Sequence, residues 1–348
     1  MKTMTNKSII IAAGGTGGHV FPAVCVADGL KRCGYDIIFV TDKRGKQYIG
    51  KYEANAIVQN INTSSRKKLY LSLIFNILRY FFKVMIIKPR MVIGFGGYPS
   101  IPFVLSAQIL GIKTAIHEQN AVIGKANSLL SKKATIIATS FQNTIGLQAS
   151  TKSLCVGNPT RFEDIYSKSE TPNNSALTIL IFGGSQGSKI FAGTVVDAIC
   201  ELGKTEKIKI YQQGRKDDLE KIKSKYTNAG IEFAVKDFFD NIGKLYQQAD
   251  IIISRAGASS VFEIIGFQKP SILIPYKNSI NGDQIENARY LEKHNACIVI
   301  QEEELSIDAI QKAICDIEQQ SQQITNNLQS LRINNPVKKF IEYIQETI

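Results

Sequence analysis

Two places in the sequence join an apolar, strand-like run to bare glycines. Ser8-Ile9-Ile10-Ile11-Ala12-Ala13 runs into Gly14-Gly15-Thr16-Gly17-Gly18-His19, and Leu177-Thr178-Ile179-Leu180-Ile181-Phe182 runs into Gly183-Gly184-Ser185-Gln186-Gly187. A β-branched run, a glycine turn and then a helix leave backbone N–H groups pointing outward at the positive end of the helix, which is chemistry for holding a phosphate. Two such openings predict two Rossmann-like domains facing one anionic ligand across a cleft. His19 places an imidazole at the end of the first loop, and a group that titrates near neutral suits proton transfer. Glu118, in the run His117-Glu118-Gln119-Asn120, offers a carboxylate as the rival base, whereas His117 reads as the packed end of a strand.

More loops follow probable strands. They are Gly94 to Ser100, His117 to Asn120, Gly157-Asn158-Pro159 with Arg161 behind it, Ser254 to Glu263, and Asp283 to Ala288. In a doubly wound sheet all of them gather beyond the carboxyl ends of the strands. Neither glycine-rich candidate in the first half fits the dinucleotide fingerprint GxGxxG, since one fails at Val20 and the other at Pro99. That disfavours a nicotinamide dehydrogenase, and the absence of GxxxxGK[ST] removes a P-loop ATPase.

The elements that must position these loops alternate along the chain. The first half reads as strands at Ile9 to Ala13, Asp36 to Thr41, Met91 to Gly94 and Lys113 to His117, with a helix from about Pro22 to Cys33. The second half repeats the pattern at Ile208 to Gln212, Ile231 to Val235, Ile251 to Ser254, Ser271 to Pro275 and Cys297 to Ile300. This alternation predicts an α/β protein with two parallel sheets and crossover helices. Thr171-Pro172-Asn173-Asn174-Ser175 is the most linker-like stretch, and from Ser306 the pattern is helical with an interruption at Pro336. The expected divisions are residues 1–162, residues 163–335 and a last helix at 336–348 that returns to the first domain.

Charge separates the halves. Residues 1–162 carry 21 Lys+Arg against 5 Asp+Glu, a net +16, and residues 163–348 carry 21 against 25, a net −4. The basic excess predicts an anionic partner for the first domain. A nucleic-acid binder is disfavoured, because basic and aromatic residues are not interleaved on a recognisable module. The six cysteines form no CxxC pair and no His/Cys cluster, which fits reduced thiols better than a disulfide framework or a zinc site. The apolar stretch behind Lys7 is too short for a signal-peptide core, so a cytoplasmic location is expected.

Arg66 to Arg90 stands apart as a long apolar run edged with Lys and Arg. Spanning a bilayer would bury Asn76, Arg79 and Lys83, at roughly 2.5–3.5 kcal/mol per charge. The run suits a helix lying in the surface of an anionic bilayer, with Leu78, Phe81 and Phe82 as the apolar contacts. A buried crossover helix fits the same stretch, and the charge asymmetry favours the membrane surface.

Taken together from Ile9 to about Ala288, these motifs, in this order and at these distances, resemble the MurG family of bacterial peptidoglycan glycosyltransferases. The resemblance implies a GT-B fold, a nucleotide sugar on the C-terminal domain and a lipid-linked acceptor on the N-terminal domain. It implies inverting transfer of N-acetylglucosamine from UDP-N-acetylglucosamine to the 4-hydroxyl of the MurNAc of lipid I, giving lipid II at the cytoplasmic face of the inner membrane. Donor contacts are implied at Thr16, Gly17, Gly18, Asn120, Arg161, Ser185, Phe239, Ala258, Ser259, Ser260, Val261, Phe262, Glu263 and Gln284. Glu263 matches the ribose-hydroxyl acceptor, Phe239 the residue whose backbone meets the uracil, and Gln284 the glutamine that reaches the donor sugar. Asp283 departs from the pattern, standing where some members have a second glutamine. Acceptor contacts are implied at Gly14, Gly15, Gly96, Gly97 and Tyr98, and the base is His19 or Glu118. No acidic DxD signature follows a strand, so no metal or other cofactor is expected. The competing readings are another GT-B enzyme, a diacylglycerol glycosyltransferase or a UDP-sugar epimerase.

Overall fold

The computed structural model describes residues 7–148, 152–163, 165–166, 176–183 and 189–348. The chain divides into two compact units, Met1–Arg161 with Ile333–Ile348, and Phe162–Arg332. The linker-like stretch at 171–175 lies outside the described residues.

In the first unit the order is β1 (Ser8–Ala12), α1 (Gly17–Arg32), β2 (Asp36–Asp42), β3 (Ile57–Gln59), α2 (Arg66–Ile87), β4 (Met91–Gly94), α3 (Ser100–Ile109), β5 (Thr114–Glu118), α4 (Lys125–Ser131), β6 (Ile136–Thr139) and β7 (Leu154–Cys155). These strands form one parallel sheet in the order β3-β2-β1-β4-β5-β6-β7. Ile9, Ile10 and Ile11 are fully buried because helices cover both faces, which is why the central strand is a continuous apolar run rather than an alternating one.

The second unit runs β8 (Leu177–Phe182), α5 (Thr194–Leu202), β9 (Ile208–Gln213), α6 (Leu219–Asn228), β10 (Glu232–Lys236), α7 (Ile242–Gln248), β11 (Ile251–Ser254), α8 (Ala258–Phe267), β12 (Ser271–Leu273), α9 (Asp283–Glu292), β13 (Ile298–Val299) and α10 (Ile307–Leu331). Its parallel sheet has the order β10-β9-β8-β11-β12-β13. In both sheets the order reverses beside the strand that feeds a glycine loop, β1 or β8, and ligands of such sheets bind at that switch point.

The last helix, α11 (Pro336–Thr347), belongs to the first unit. Its Phe340, Ile341 and Ile344 enter the core that holds Ile9, Ala23 and Leu30. Pro336 occupies the first turn, where a missing N–H costs nothing. Arg90 and Lys113 donate to the carbonyls of Ile348 and Thr347, at 2.7 and 2.6 Å.

One element boundary differs from the sequence reading. A proline marks a good helix start, so α1 was expected from Pro22, yet it begins five residues earlier at Gly17. Thr16 is its N-cap, Pro22 lies inside it, and His19 is the third helical residue. Glycines that read as loop are wound into the first turn, which aims their N–H groups out of the helix end.

Candidate functional site

In the first unit the site starts at the carboxyl end of β1. Gly15 (φ +91°) turns the chain, and its N–H donates to Asp42 Oδ1 at 3.0 Å. The same oxygen accepts the Gly45 N–H at 2.8 Å, and Asp42 Oδ2 holds Arg44. At Gly15, where an acceptor contact is expected, the amide is held by a carboxylate of the chain itself.

Gly14, Gly96 and Gly97 let two loops meet. A Cβ on Gly14 would lie 2.3 Å from Pro99 Cγ, and one on Gly97 (φ +72°) would lie 2.8 Å from the Gly14 carbonyl oxygen. Gln59, buried at the end of β3, supports this loop by donating to the Pro99 carbonyl at 2.7 Å. Tyr98 is half-buried against the core beneath α2 and α3. The glycines here serve close packing, and Gly14 itself is buried.

His19 lies against this junction. A Cβ on Gly96 would come within 3.1 Å of its Cδ2 and 3.3 Å of its Nε2, so a side chain there would press on the ring. Its Nδ1 is buried with no hydrogen-bond partner. Burial pushes the imidazole's pKa down, against the Gly14 backbone and the charge of Asp42.

Glu118 ends β5 in a different state. Its Oε1 accepts the Asn120 N–H at 3.0 Å, and its Oε2 accepts Gly124 N–H and Asn127 Nδ2, each at 2.9 Å. Burial raises its pKa, and these hydrogen bonds work against the rise. Both oxygens are committed to holding the 119–124 loop and α4. His117 is buried between Phe95 and Phe340. Its Nε2 donates to the Gly157 carbonyl and its Nδ1 accepts from Gln119, both at 3.0 Å, and burial lowers its pKa to about 4.

Arg161 reaches the start of α1 through an aromatic ring. Its guanidinium stacks 4.6 Å from the Phe21 ring centre, and Phe21 in turn presses on Gly17, where a Cβ would lie 2.7 Å from its ring. The fold thus gathers Thr16, Gly17, Gly18, His19, Gly96 and Arg161 at one helix end, with Glu118 and Asn120 in the neighbouring loop.

In the second unit the loop containing Ser185 lies outside the described residues. Just past it, the Phe191 carbonyl accepts from Gln212 Nε2 at 2.8 Å, and Gln212 accepts from the Tyr226 hydroxyl at 2.6 Å. Gly257 caps α8 in an extended conformation and leaves its first amides, at Ala258 and Ser259, at the helix end. Ser259 Oγ is buried without a partner. Ser260, Phe262 and Glu263 are nearly buried, and Glu263 Oε2 accepts the Tyr246 hydroxyl at 2.9 Å. Val261 is fully buried and gives its N–H to the Gly257 carbonyl. Gln284 sits in the first turn of α9, where its Oε1 accepts the Tyr276 N–H at 3.0 Å and so turns Nε2 outward as a donor. Burial raises the pKa of the adjacent Asp283. Phe239 is half-buried in the loop after β10, with Lys236 over its ring at 5.7 Å.

Sequence reasoning missed the residues that fix these loops. Arg255, nearly buried, pairs with Glu302 at 2.6 Å, donates to the Ile274 carbonyl at 3.0 Å, and stacks on Phe191 and Tyr276. One guanidinium thus ties the loops after β8, β11, β12 and β13. Asp42 had a usable signal, because an acidic residue closing the second strand of a Rossmann unit is a functional position. Arg255 had only its place inside a quoted motif.

Residues 9–139 match the glycosyltransferase family 28 N-terminal domain, and residues 178–344 match the glycosyltransferase family 28 C-terminal domain. The chain belongs to glycosyltransferase family 28. Over 342 residues it is 36% identical to the UDP-N-acetylglucosamine–N-acetylmuramyl-(pentapeptide) pyrophosphoryl-undecaprenol N-acetylglucosamine transferase of Wolbachia sp. subsp. Brugia malayi, covering 97% of this chain and 98% of that one. The protein of the same name in Agrobacterium fabrum is 37% identical over 86% of this chain and 83% of its own. Among solved structures, the crystal structure of Acinetobacter baumannii MurG superposes with a TM-score of 0.82 at 27% identity, covering 97% of this chain and 99% of that one. A UDP-GlcNAc 2-epimerase from Neisseria meningitidis shares the fold at a TM-score of 0.69 and 12% identity, covering 97% of this chain and all of that one. The family fold is therefore GT-B, and kinship in sequence rather than the fold separates the transferase from the epimerase.

Proposed function

We propose that this chain transfers N-acetylglucosamine from UDP-N-acetylglucosamine to the 4-hydroxyl of the MurNAc of lipid I, forming lipid II with inversion at the anomeric carbon. The observation that carries the mechanism is the buried, partnerless Nδ1 of His19 at the opening of α1. It takes the proton of the acceptor hydroxyl as that oxygen attacks the anomeric carbon, and the bond to the diphosphate breaks with its electrons leaving on UDP. Glu118, with both oxygens already accepting, serves as the brace of the neighbouring loop. The second unit takes the nucleotide sugar, with Glu263 on the ribose and the outward amide of Gln284 on the sugar. In that unit the amides that open α8, together with Ser185, receive the charge of the departing diphosphate.

The acceptor is bilayer-bound, and α2 is the element we assign to that surface. Leu71, Ile74, Phe75, Leu78, Phe82 and Ile86 are each more than half exposed and fall on one helical face, while Leu73, Asn76, Tyr80 and Val84 pack inward. Asn76, which argued against a span, donates to the Ser72 and Asn60 carbonyls inside the unit. Phe81 is half-buried, so Leu71, Phe75 and Ile86 replace it among the expected apolar contacts. Arg66, Lys67 and Lys68 open the helix, where cations oppose its dipole, so their charge serves something other than helix stability. The enzyme is thus a peripheral protein of an anionic membrane face.

Transfer of labelled N-acetylglucosamine to a synthetic lipid I analogue tests the reading. His19→Ala should lose turnover and keep nucleotide affinity, whereas Glu263→Ala should lose donor affinity. Conversion of UDP-N-acetylglucosamine without any acceptor, with no transfer in its presence, would sink it in favour of an epimerase.

A further inference from the structure

Asp42 and Arg44 stand beside the first glycine loop and take no part in the transfer as derived above. The Arg44 side chain is 65% exposed, and an ion pair that open is ordinarily mobile and nearly worthless. Here its partner is fixed. Asp42 is only 12% exposed, and its Oδ1 accepts two backbone amides, Gly15 at 3.0 Å and Gly45 at 2.8 Å, so Oδ2 is a rigid anchor for Arg44 Nε and Nη2 at 3.3 and 3.2 Å. The anchored guanidinium overhangs the corner where β1 turns into α1, since Arg44 Nη2 lies 3.6 Å from a Cβ built on Gly15.

This arrangement changes what the loop can bind. The Gly15 amide is closed to an incoming anion by the chain's own carboxylate. What remains at this corner is the opening turn of α1, at Gly17 and Gly18, and an immobilised cation with its outer N–H groups turned to solvent. Two helical residues further, His19 Nδ1 is buried and unpartnered, as a group awaiting a substrate proton is.

We infer that Arg44 binds the diphosphate of the lipid-linked acceptor and that Asp42 is its positioning residue; the inference rests on the transfer reading above. A guanidinium fork can keep one edge on Asp42 and offer the other to two phosphate oxygens, which lysine cannot do. The acceptor's diphosphate rather than the donor's is the ligand, because Arg44 shares its unit with the base that takes the acceptor's proton, with the basic excess and with the exposed face of α2.

The experiment compares wild type, Arg44→Ala, Arg44→Lys and Asp42→Asn, all full length, with a short-chain lipid I analogue. Arg44→Ala should raise the acceptor KM by about tenfold, from the loss of one charge-assisted contact at an open site, and leave the donor KM and the unfolding midpoint unchanged. Arg44→Lys should recover part of the loss, Asp42→Asn should show a smaller rise, and added salt should narrow the gap between wild type and Arg44→Ala. A shift in donor KM alone, or an unchanged acceptor KM, overturns the assignment. Titration of inorganic pyrophosphate into wild type and Arg44→Ala reads the same site without turnover. Weaker binding by the variant supports the assignment and equal binding overturns it, even where a wild type inactive on lipid I has already removed the transfer reading.

Discussion

The two units solve one problem, holding several loops at the carboxyl ends of a parallel sheet, by opposite means. In the first unit the loops meet through close approach of glycines and their amides: Gly14 against the Pro99 ring, Gly97 against the Gly14 carbonyl, and the Gly15 and Gly45 amides on one Asp42 oxygen. In the second they are tied by one nearly buried side chain, Arg255, with its carboxylate, its carbonyl and its two aromatic rings. The first construction is intolerant of volume, because a proline ring and a backbone carbonyl have little freedom to give way. The second is intolerant of lost charge, because removing Arg255 or Glu302 takes the opposite charge away from its nearly buried partner.

The largest effect should come from breaking that pair. Arg255→Met is expected to cost about 3–5 kcal/mol in denaturant unfolding, while Arg255→Met with Glu302→Met recovers most of that stability. The double variant should still show a raised donor KM, since Gln284 is oriented through Tyr276, on which Arg255 stacks. Equal costs for the single and double variants would remove the distinction drawn between the units.

Acid should loosen the first unit next. His117 is buried neutral with a pKa of about 4 against an ordinary value of 6.5. Such a lowered histidine has its full stabilising effect above pH 6.5 and loses it as pH falls toward 4, by up to about 3 kcal/mol, because only the unfolded chain takes the proton in that window. Glu118, held up by burial, acts with the opposite sign, so the measurement is the difference in pH slope between wild type and His117→Gln. The variant's curve should lack the fall; parallel curves would show that His117 does not carry it.

Glycine substitutions sharpen the contrast further. Gly97→Ala, at positive φ and against a carbonyl oxygen, should cost about 1–3 kcal/mol and lower kcat by displacing the loop that supports His19. Gly257→Ala, in the second unit, meets nothing within 4 Å and has an ordinary backbone conformation, so it should cost under about 1 kcal/mol. Comparable losses for the two would mean that volume is not what distinguishes the units.

The smallest effect concerns the outer face of α2. Leu78→Ser with Phe82→Ser should leave stability within about 0.5 kcal/mol, because both side chains already face solvent, while cosedimentation with anionic vesicles falls severalfold. Unchanged cosedimentation would assign the patch to something other than a bilayer.

Much of this was legible in the chain. Continuous apolar runs bounded by glycines mark buried parallel strands, and the loops that follow them must collect at one edge of a sheet, so the two sheets and the general place of the site follow from local pattern alone. What misled were local signals that tertiary packing outweighed. Pro22 reads as a helix start, yet α1 begins at Gly17 and presses its Phe21 ring on that glycine. Phe81 reads as a membrane contact, and on α2 it is half-buried beside the exposed Phe82.

The sequence by itself determined the fold class, the family and the set of residues able to do chemistry, because strand period, glycine spacing and residue type are properties of neighbours in the chain. Tertiary structure alone decided their roles. On the proposed reading Glu118 braces its loop and His19 takes the proton, because hydrogen-bond partners 2 to 9 residues away fill the oxygens of Glu118 while His19 Nδ1 has none. Asp42 reaches back 27 residues to Gly15, and Arg255 forward 47 to Glu302, contacts set by sheet order and not by sequence distance. A carboxylate or imidazole is only as reactive as the donors, charges and water left around it, and those arrive with the fold.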